Sequence, residues 1–272
     1  MNHQHLTPEL MEQLSAVAPG RVFTGSDINV DYSHDEMPIY GKAMPEAVVE
    51  ALTTEEIAAV MKLCNENRIP VTPRGAGTGL VGGAVPIQGG VLLVTTRMNK
   101  ILSYDEDNFT VTVQPGVLLQ TLAEDAATRG LLYPPDPGEK LATLGGNVST
   151  NAGGMRAVKY GCTRDYVKAM TVVLPTGEII KLGSSVSKTS SGYSLLDILI
   201  GSEGTLGFVT KITLELIPLP KRSVSLLVPF PDLDKCIDTV PKFFENKLIP
   251  TTLEFMQREV IMAAEEYLGK VF

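Results

Sequence analysis

The stretch that decides the fold is PRGAGTGLVGG, residues 73–83, which places five glycines within eleven residues. It follows IPVTP, residues 69–73, a short apolar segment that predicts a β-strand. Gly77, Gly79 and Gly82 match the spacing G-x-G-x-x-G of a dinucleotide-binding turn. The sequence therefore raises the question of which phosphate-bearing ligand this loop binds.

The residues that follow the glycines argue against a Rossmann turn. That turn needs a helix directly after its glycines, with the pyrophosphate at the helix N-terminus. Here the next residues are GAVPIQGG, 83–90, whose glycine density and internal proline disfavour the start of a helix. An NAD-dependent Rossmann dehydrogenase is therefore a disfavoured alternative.

The loop is nevertheless suited to a phosphate. Consecutive small residues allow backbone N–H groups to point into one concave nest that attracts anions, and Gly75, Gly77 and Gly79 permit positive φ angles. Arg74 is the one cation of the stretch, and we interpret it either as a phosphate partner or as a solvated surface arginine. For the loop as a whole, the alternative is a plain multi-glycine turn between strands.

A second stretch of small residues, 134–165, has the sequence PPDPGEKLATLGGNVSTNAGGMRAVKYGCTRD and shows no sustained helical or strand period. An irregular loop of that length in a compact domain is usually functional. It offers backbone donors at four glycines, together with polar side chains: Gly145, Gly146, Gly153, Gly154, Thr143, Asn147, Thr150 and Asn151. Two such loops suit an elongated ligand with a central pyrophosphate, and GSEGTLG, 201–207, provides a third contact.

The remaining segments predict a chain of mixed helices and strands. Thr7 and Pro8 open a helix that extends to about Val17, and Thr53 and Glu56 form the capping box of a second helix. Further strands are predicted at 46–52, 90–98, 109–116 and in a hairpin at 169–180, a helix at 117–130, and a short helix, a glycine-rich turn and a long strand within 194–219.

Beyond PLPKR, residues 218–222, the pattern restarts. Two strands and two helices are predicted there, at 223–230, 232–247, 251–256 and 258–269. A unit of about 50 residues is too small to bury both faces of a sheet. The sequence therefore predicts the opening of a second domain, and a chain that is a fragment of a longer protein or one part of a complex.

Composition and charge exclude several classes of function. The chain has 272 residues, is 44% hydrophobic and carries a formal net charge of −8, which argues against a nucleic-acid or anionic-membrane surface. No apolar run approaches the roughly 20 residues of a membrane span, and the N-terminus lacks the apolar core of a signal peptide. Cys64, Cys162 and Cys236 form no C-x-x-C pair. These features predict a cytoplasmic protein without a transmembrane segment.

Six motifs, in this order, carry a resemblance to a known family: PRGAGTGLVGG, VQPGV, PPDP, ATLGGNVSTNAGG, YGCTRDYV and GSEGTLGFVTKITL. Through them the sequence resembles the FAD-binding domain of the vanillyl-alcohol oxidase and p-cresol methylhydroxylase superfamily. Within it, the sequence is similar to the branch of GlcD-like glycolate oxidases and of D-lactate or D-2-hydroxyglutarate dehydrogenases. The resemblance covers about residues 40–220.

This resemblance implies an α+β fold. Residues 1–221 are expected to form a p-cresol methylhydroxylase-type (PCMH-type) FAD-binding domain of two α+β subdomains, about 1–100 and about 101–221. Residues 222–272 are expected to be the truncated beginning of a ferredoxin-like cap domain that holds the substrate.

The resemblance also implies which residues bind FAD. Those expected at the pyrophosphate are Arg74, Gly75, Ala76, Gly77, Thr78, Gly79, Leu80, Thr143, Gly145, Gly146, Asn147, Thr150, Asn151, Gly153 and Gly154. Those expected at the flavin half are Pro135 and Asp136, and those at the adenine half are Glu203, Gly204, Gly207 and Val209. The set is completed by Pro73, Gly83, Gln114, Tyr160 and Gly161. A turn acid for Glu203 and a core strand residue for Val209 are the alternatives.

Members of this branch move a hydride from C2 of a 2-hydroxy acid, such as glycolate or D-lactate, to flavin N5. That step needs a base, for which histidine is suited, and a cationic clamp for the carboxylate. The three histidines, His3, His5 and His34, all lie in the first 34 residues, and the histidine-rich base and metal motif of the family lies in the C-terminal half of the cap. The catalytic residues are therefore expected beyond Phe272, and this chain alone is expected to bind FAD without turnover.

Two further expectations follow from the resemblance. Some branches of the superfamily attach the flavin to a histidine of the first glycine loop; Thr78 stands at about that place here, which predicts non-covalent FAD. The electron acceptor is expected to be an electron-transfer flavoprotein, an iron–sulfur subunit or a quinone. The alternative function is a non-catalytic FAD-carrying subunit of a multisubunit oxidoreductase.

Overall fold

A computed structural model describes residues 3–37, 39, 41–186, 188 and 190–271. Its helices are α1 (Pro8–Val17), α2 (Thr54–Glu66), α3 (Leu119–Thr128), α4 (Leu144–Thr150), α5 (Ala157–Tyr160), α6 (Leu195–Leu199), α7 (Leu233–Glu245) and α8 (Arg258–Leu268). Its strands are β1 (Val22–Thr24), β2 (Ala47–Glu50), β3 (Val71–Arg74), β4 (Val91–Val94), β5 (Ile101–Asp105), β6 (Thr110–Val113), β7 (Leu131–Leu132), β8 (Val167–Val173), β9 (Ile179–Gly183), β10 (Phe208–Glu215) and β11 (Ile217–Pro218). Among the described helices, none is long and apolar enough to cross a membrane.

The first sheet contains β1 to β4 in the order β1-β2-β4-β3, and β2, β4 and β3 run parallel. The sequence VLLV of β4 is fully buried, as expected of a parallel strand that is covered on both faces. Helix α2 connects β2 to β3 and buries Ile57, Val60 and Cys64 against the sheet. The β-α-β unit predicted from the sequence is confirmed, and its second strand ends at Arg74, where the first glycine loop begins.

The second sheet is antiparallel throughout, in the order β5-β6-β10-β8-β9. Helix α3 covers it and buries Leu119, Leu122 and Ala126 in the second core. The two sheets are joined where β10 begins, because Phe208 belongs to the core of the first sheet. A third, small sheet pairs β11 with β7.

The predicted α+β class is confirmed by this arrangement. The first sheet is built from residues 22–94 and the second from residues 101–215. The domain boundaries near residues 100 and 221, and the assignment of residues 222–272 to a truncated cap, remain predictions.

The stretch 134–165 is not the irregular loop that the sequence predicted, because it contains α4 and α5. Thr143 caps α4, since its Oγ1 accepts a hydrogen bond from the N–H of Gly146 at 3.3 Å. Gly145 stands where a side chain does not fit, because a Cβ there would lie 2.6 Å from Cβ of Pro115. Two glycines in the first turn hid the helix, since glycine lowers helix propensity.

The two strands predicted in the C-terminal segment, 223–230 and 251–256, are also wrong: the segments form no strand in this structure, whereas α7 and α8 are present as predicted. A strand is defined by its hydrogen bonds to a neighbouring strand. No described strand pairs with residues 223–230, and there Leu226 and Leu227 are 83% and 72% exposed. These residues have a high β-propensity, but they have no neighbouring strand with which to form a sheet.

Candidate functional site

A cleft that is open to solvent and holds about 110 Å³ of accessible volume lies where β3 ends and where α4 and β10 begin. Residues from all three predicted segments line it: Pro73, Arg74, Gly75, Gly79, Gly83, Gly145, Gly146, Thr150, Glu203, Gly204, Gly207 and Val209. The fold thus brings the three small-residue segments together at one cleft.

The first glycine loop presents a run of unpaired backbone donors. Within the described residues, the N–H groups of residues 75–81 donate to no protein acceptor. Such a run in a loop of small residues is typical of an anion-binding nest. Gly77 has a φ of 81°, and a Cβ there would overlap the guanidinium of Arg74. The backbone of this loop therefore folds closely over Arg74 and leaves its own N–H groups free.

Arg74 has its charge engaged beneath the loop. Its guanidinium donates to the carbonyl oxygens of His34 at 2.8 Å and of Asp31 at 3.0 Å. Arg74 as a whole is 7% exposed. Burial lowers the pKa of Arg74, and the charges of nearby acidic residues oppose that shift. The alternative of a solvated surface arginine is therefore wrong, whereas a contact with a phosphate remains a prediction.

The second stretch of small residues, 134–165, reaches the cleft at the first turn of α4. The N–H of Gly145 donates to the carbonyl of Pro115 at 2.7 Å, and the N–H of Gly146 donates to Oγ1 of Thr143 at 3.3 Å. The expectation that these two amides are free donors is wrong, because Pro115 accepts from one and the helix cap Thr143 accepts from the other. The two glycines line the cleft without presenting a side chain to it.

Three donors near this turn have no partner. Asn147 is 4% exposed, and its Nδ2 atom makes no hydrogen bond. In the described part of the chain, the N–H groups of Gly153 and Gly154 also donate to no acceptor. Of the three, only the amide of Asn147 is buried, where an unpaired donor costs about 1–3 kcal/mol. Together with the free amides of residues 75–81, these donors are suited to a ligand that is rich in acceptor oxygens.

Thr150 and Asn151 end α4. Oγ1 of Thr150 donates to the carbonyl of Gly146 at 3.0 Å. Asn151 adopts the left-handed conformation with a φ of 50°, and its Oδ1 accepts from the N–H of Arg164 at 2.9 Å. Thr150 lines the cleft, whereas Asn151 serves the helix end.

Asp136 is a buried carboxylate that is paired twice. It accepts from Nζ of Lys140 at 2.8 Å and lies 3.2 Å from Nη2 of Arg156. Burial acts to raise the pKa of Asp136, but its bonds to Lys140 and the charge of Arg156 outweigh that effect and hold the pKa below its ordinary value. Gly154 packs against the backbone carbonyl of Asp136, so the PPDP motif lies against the later end of the same stretch, at Gly154.

The third segment closes the cleft on the side of β10. Glu203 has a φ of 52°, and its N–H donates to the carbonyl of Ser149 at 2.8 Å. Its carboxylate lies close to the first loop, because a Cβ at Gly83 would be 2.8 Å from Oε2 of Glu203. Val209 lines the cleft and is also buried in the second core, as its alternative interpretation stated.

The other residues predicted to bind FAD are not among those that line the cleft: Ala76, Gly77, Thr78, Leu80, Gln114, Pro135, Asp136, Thr143, Asn147, Asn151, Gly153, Gly154, Tyr160 and Gly161. Several have other partners. Oε1 of Gln114 accepts from the N–H of Lys100 at 3.0 Å, and Tyr160 packs against the second core. Contacts of these residues with a cofactor remain predictions.

Six lining residues were not in the predicted set: Val81, Ala84, Thr95, Pro115, Ser149 and Phe208. Most of them lie in or beside the six motifs, so extending the prediction to every motif residue would have found Val81, Pro115, Ser149 and Phe208. The sequence gives no local signal for Thr95, which reaches the cleft because β4 is parallel to β3 and pairs Val94 with Arg74.

Histidine is absent from the lining of this cleft as far as the structure describes it. His5 pairs with Glu46 through Nδ1 and Oε1 at 3.0 Å, and His34 contacts Oγ of Ser33 through Nδ1 at 3.1 Å. The lining of the described cleft is mostly apolar, and its polar side chains are those of Arg74, Thr95, Ser149, Thr150 and Glu203.

Family models match two parts of the chain. Residues 45–183 match an FAD binding domain, and residues 219–271 match the C-terminal domain of FAD linked oxidases. The first match includes both loops that border the cleft, and the second begins within the PLPKR segment.

Curated relatives resemble the chain over nearly its whole length. It is 66% identical over 268 residues to a D-lactate dehydrogenase of Anaerostipes hadrus, covering 98% of this chain and 56% of the relative. It is 42% identical over 264 residues to the glycolate oxidase subunit GlcD of Bacillus subtilis (strain 168), covering 96% of this chain and 56% of the relative. The chain thus spans about half the length of the curated relatives it matches.

Solved structures share the fold. Alkyldihydroxyacetonephosphate synthase superimposes with a TM-score of 0.76 at 23% identity, covering 93% of this chain and 48% of that one. p-Cresol methylhydroxylase with substrate bound gives a TM-score of 0.75 at 24% identity, covering 89% of this chain and 50% of that one. These likenesses confirm the predicted PCMH-type α+β fold.

Proposed function

This chain belongs to the family of the FAD binding domain that matches residues 45–183, and we propose that it serves the oxidation of a 2-hydroxy acid to the corresponding 2-oxo acid. FAD is the cofactor of this family. Glycolate and D-lactate are the substrates we favour, because relatives at 42% and 66% identity are named for them. The activity is proposed for the whole enzyme, since the chain spans about half the length of those relatives.

The single observation that carries the proposal is that two segments bordering one cleft each contain donors without a partner among the described residues. Residues 75–81 present unpaired N–H groups from one side. Asn147, Gly153 and Gly154 present unpaired donors from the other segment. A diphosphate offers acceptor oxygens to both, and backbone amides bind such anions without a cation. We therefore place the FAD pyrophosphate between the two loops.

The remaining predicted residues complete the proposed site. Glu203, Gly204, Gly207 and Val209 are proposed to border the adenine half, and Pro135 and Asp136 the flavin half. Tyr160, Gly161, Gln114, Pro73 and Gly83 are proposed as surrounding contacts. The ion pairs of Asp136 with Lys140 and Arg156 hold the PPDP backbone against Gly154. We propose that Asp136 in this way orients the flavin side of the site.

The chemistry divides between the cofactor and the protein. When bound, the flavin accepts the hydride that leaves C2 of the hydroxy acid. The residues of this chain bind and orient the cofactor. Since no histidine lines the described cleft, we propose that the base for the hydroxyl proton and the clamp for the carboxylate are supplied from outside these 272 residues.

A reconstitution experiment tests this function. The purified chain is mixed with FAD and gel-filtered, and its absorbance is measured at about 450 nm, where bound flavin absorbs. We expect FAD to remain bound and the chain to show no turnover with D-lactate, glycolate and an artificial dye. The whole enzyme, expressed from the natural gene, is expected to reduce the dye with one of the two acids. A chain that retains no FAD, or a whole enzyme inactive with every 2-hydroxy acid tried, would contradict the proposal.

A non-catalytic FAD-carrying subunit of a multisubunit oxidoreductase is the second candidate. The observation that favours it is the lack of histidine in the described cleft lining. The two candidates differ in the natural gene: an open reading frame that continues past Phe272 into a histidine-rich segment supports the enzyme. The electron acceptor, whether an electron-transfer flavoprotein, an iron–sulfur subunit or a quinone, remains a prediction, and so does the cytoplasmic location expected from the cysteine usage.

A further inference from the structure

Residues 29–37 form a short segment that contacts the first glycine loop but lies outside the matched FAD-binding domain, which begins at residue 45. The segment starts with the 3-10 helix Val30–Ser33, which Asn29 caps by accepting from the N–H of Asp31 at 3.0 Å. None of its residues lines the cleft.

Asp35 makes the central contact of this segment. It is 4% exposed, and Oδ2 accepts from the N–H of Gly82 at 2.7 Å. The other oxygen, Oδ1, accepts from the N–H of Met37 at 3.0 Å. The carboxylate also packs against the loop, because a Cβ at Gly79 would lie 3.7 Å from Oδ2. The main chain adds a bond from the N–H of Glu36 to the carbonyl of Gly79 at 3.1 Å.

Arg74 supports the same segment from the opposite end of the loop. Its guanidinium donates to the carbonyls of Asp31 and His34 and, at 3.4 Å, to that of Ala84. The loop is thus held at its start by Arg74 and at its end by Asp35. Between these two anchors lie residues 75–81, whose N–H groups donate to no acceptor in the described part of the chain.

We propose that Asp35 is a positioning residue of the cofactor site, which holds the first glycine loop in the conformation that presents residues 75–81 to the FAD diphosphate. The proposal rests on the proposed function, in that FAD binds at this cleft. A carboxylate near a phosphate site is unfavourable as a direct ligand. As a partner of the N–H of Gly82, however, Asp35 fixes the end of the anion-binding loop, residues 75–81, and the cationic Arg74 offsets the charge of the carboxylate.

The bonding pattern of Asp35 requires a carboxylate. Its two oxygens accept from two different N–H groups, those of Gly82 and Met37. An asparagine has one acceptor oxygen, so its amide group would face one of these donors with a donor of its own. Asp35→Asn therefore loses the charge-assisted character of both bonds and leaves the N–H of either Gly82 or Met37 without an acceptor.

The test uses the full chain as apoprotein, titrated with FAD and, separately, with ADP, which shares the diphosphate. We expect Asp35→Asn to raise the Kd of both ligands by a similar factor, at least about tenfold. The matched control is Glu36→Gln, which removes the same charge from the adjacent, exposed residue. Its Kd is expected to stay within about twofold of the unaltered chain.

Two readouts separate positioning from general stability. A purely structural role would lower the melting temperature of the Asp35→Asn apoprotein and leave the Kd, measured well below melting, unchanged; that result would overturn the proposal. Hydrogen exchange on the unaltered apoprotein gives a test that needs no variant. We expect protection at the amide of Gly82 and fast exchange at residues 75–81, which slows when FAD is added. Fast exchange at Gly82 would also overturn the proposal.

The failure of the proposed function has a different signature. If the unaltered chain binds neither FAD nor ADP, the cofactor assignment at this cleft is lost. If the unaltered chain binds both and Asp35→Asn binds them equally well, the positioning role alone is lost.

Discussion

Gly75 of the first loop lies directly against Thr143 at the start of α4: a Cβ added to Gly75 would overlap Oγ1 of the threonine and lie 3.3 Å from its Cβ. The same Oγ1 accepts the N–H of Gly146 as the helix cap. The spacing between the two segments is therefore set by Gly75, which has no side chain, and by the capping hydroxyl of Thr143.

Gly75→Ala is expected to separate the loops and weaken FAD binding by at least about tenfold, because Oγ1 of Thr143 cannot move aside without breaking its bond to the N–H of Gly146. The cost in stability of the apoprotein is expected to be that of a crowded site, about 1–3 kcal/mol. The Kd is measured by flavin fluorescence on the purified chain, and the stability by urea unfolding.

The double variant Gly75→Ala, Thr143→Ala serves as the control for this contact. Removing Oγ1 relieves the overlap but also removes the cap of α4, which costs about 0.5–2 kcal/mol. We expect the double variant to bind FAD more tightly than Gly75→Ala alone. Strictly additive losses would show that the contact between the two residues does not set the spacing.

Asn147→Leu is expected to separate stability from binding. The substitution replaces the buried Nδ2, which has no partner among the described residues, with a methyl group on the same branched skeleton. The apoprotein should therefore be as stable as before or more stable, since an unpaired buried donor costs about 1–3 kcal/mol. FAD should bind at least about tenfold more weakly. Thermal unfolding with and without FAD measures both effects, and a loss of apoprotein stability without a change in Kd would contradict the proposed contact.

How far the sequence predicts this site depends on the range of the interactions. The strand before Arg74 and the capped helix α2 were predicted correctly because capping and periodicity are local signals. Helix α4 was missed because its first turn contains Gly145 and Gly146, which local propensity disfavours, although packing against Pro115 requires Gly145.

The roles of Arg74 and Asp35 were beyond the reach of the sequence for a different reason. Their partners, such as Asp31 for Arg74 and Gly82 for Asp35, lie about 40 residues or more away in the chain, and most of the bonds are to main-chain atoms, which every residue carries. The strands predicted at 223–230 and 251–256 failed because β-propensity does not report whether a partner strand is present.

The ion pair of Glu56 with Arg21 predicts a pH dependence. Nη1 and Nη2 of the arginine donate to both carboxylate oxygens, at 2.7 and 2.6 Å, and the two side chains are 18% and 12% exposed. The bonds from Arg21 lower the pKa of Glu56 below its ordinary value of 4.5, against the opposing effect of burial. A carboxyl group whose pKa is lowered by folding adds stability above its unfolded pKa, and this stability is lost as the pH falls through the folded pKa.

Glu56→Gln should therefore cost about 1–3 kcal/mol at neutral pH, and the difference from the unaltered chain should shrink once the pH falls below about 4.5. Urea unfolding at a series of pH values gives the comparison. Glu66→Gln on the same helix is the control, because its contact with Lys62 is 3.9 Å long and exposed, and it should change stability by less than about 0.5 kcal/mol at every pH. A pH-independent cost for Glu56→Gln would contradict the assignment.

Flavin attachment is expected to be non-covalent. Thr78 occupies the first glycine loop where a histidine carries the flavin in other branches, and the chain contains no histidine after residue 34. Acid precipitation of the FAD-loaded chain should therefore leave the yellow colour in the supernatant. Flavin that remains with the precipitate and fluoresces on a denaturing gel would contradict this expectation.

Gly154→Ala is expected to abolish FAD binding by disturbing the packing of two motifs. Gly154 has a φ of 146°, a region that is nearly specific to glycine, and a Cβ there would overlap the carbonyl of Asp136.

Gly130→Ala is the matched control, since Gly130 also has positive φ, 69°, but a Cβ there meets nothing within 4 Å. The control should lose only the backbone cost of about 1–2 kcal/mol, and keep its FAD. Gly154→Ala should lose more stability than that, and any folded protein should fail to retain FAD on gel filtration. Equal stability and equal FAD retention in the two variants would show that the contact between Gly154 and Asp136 does not shape the site.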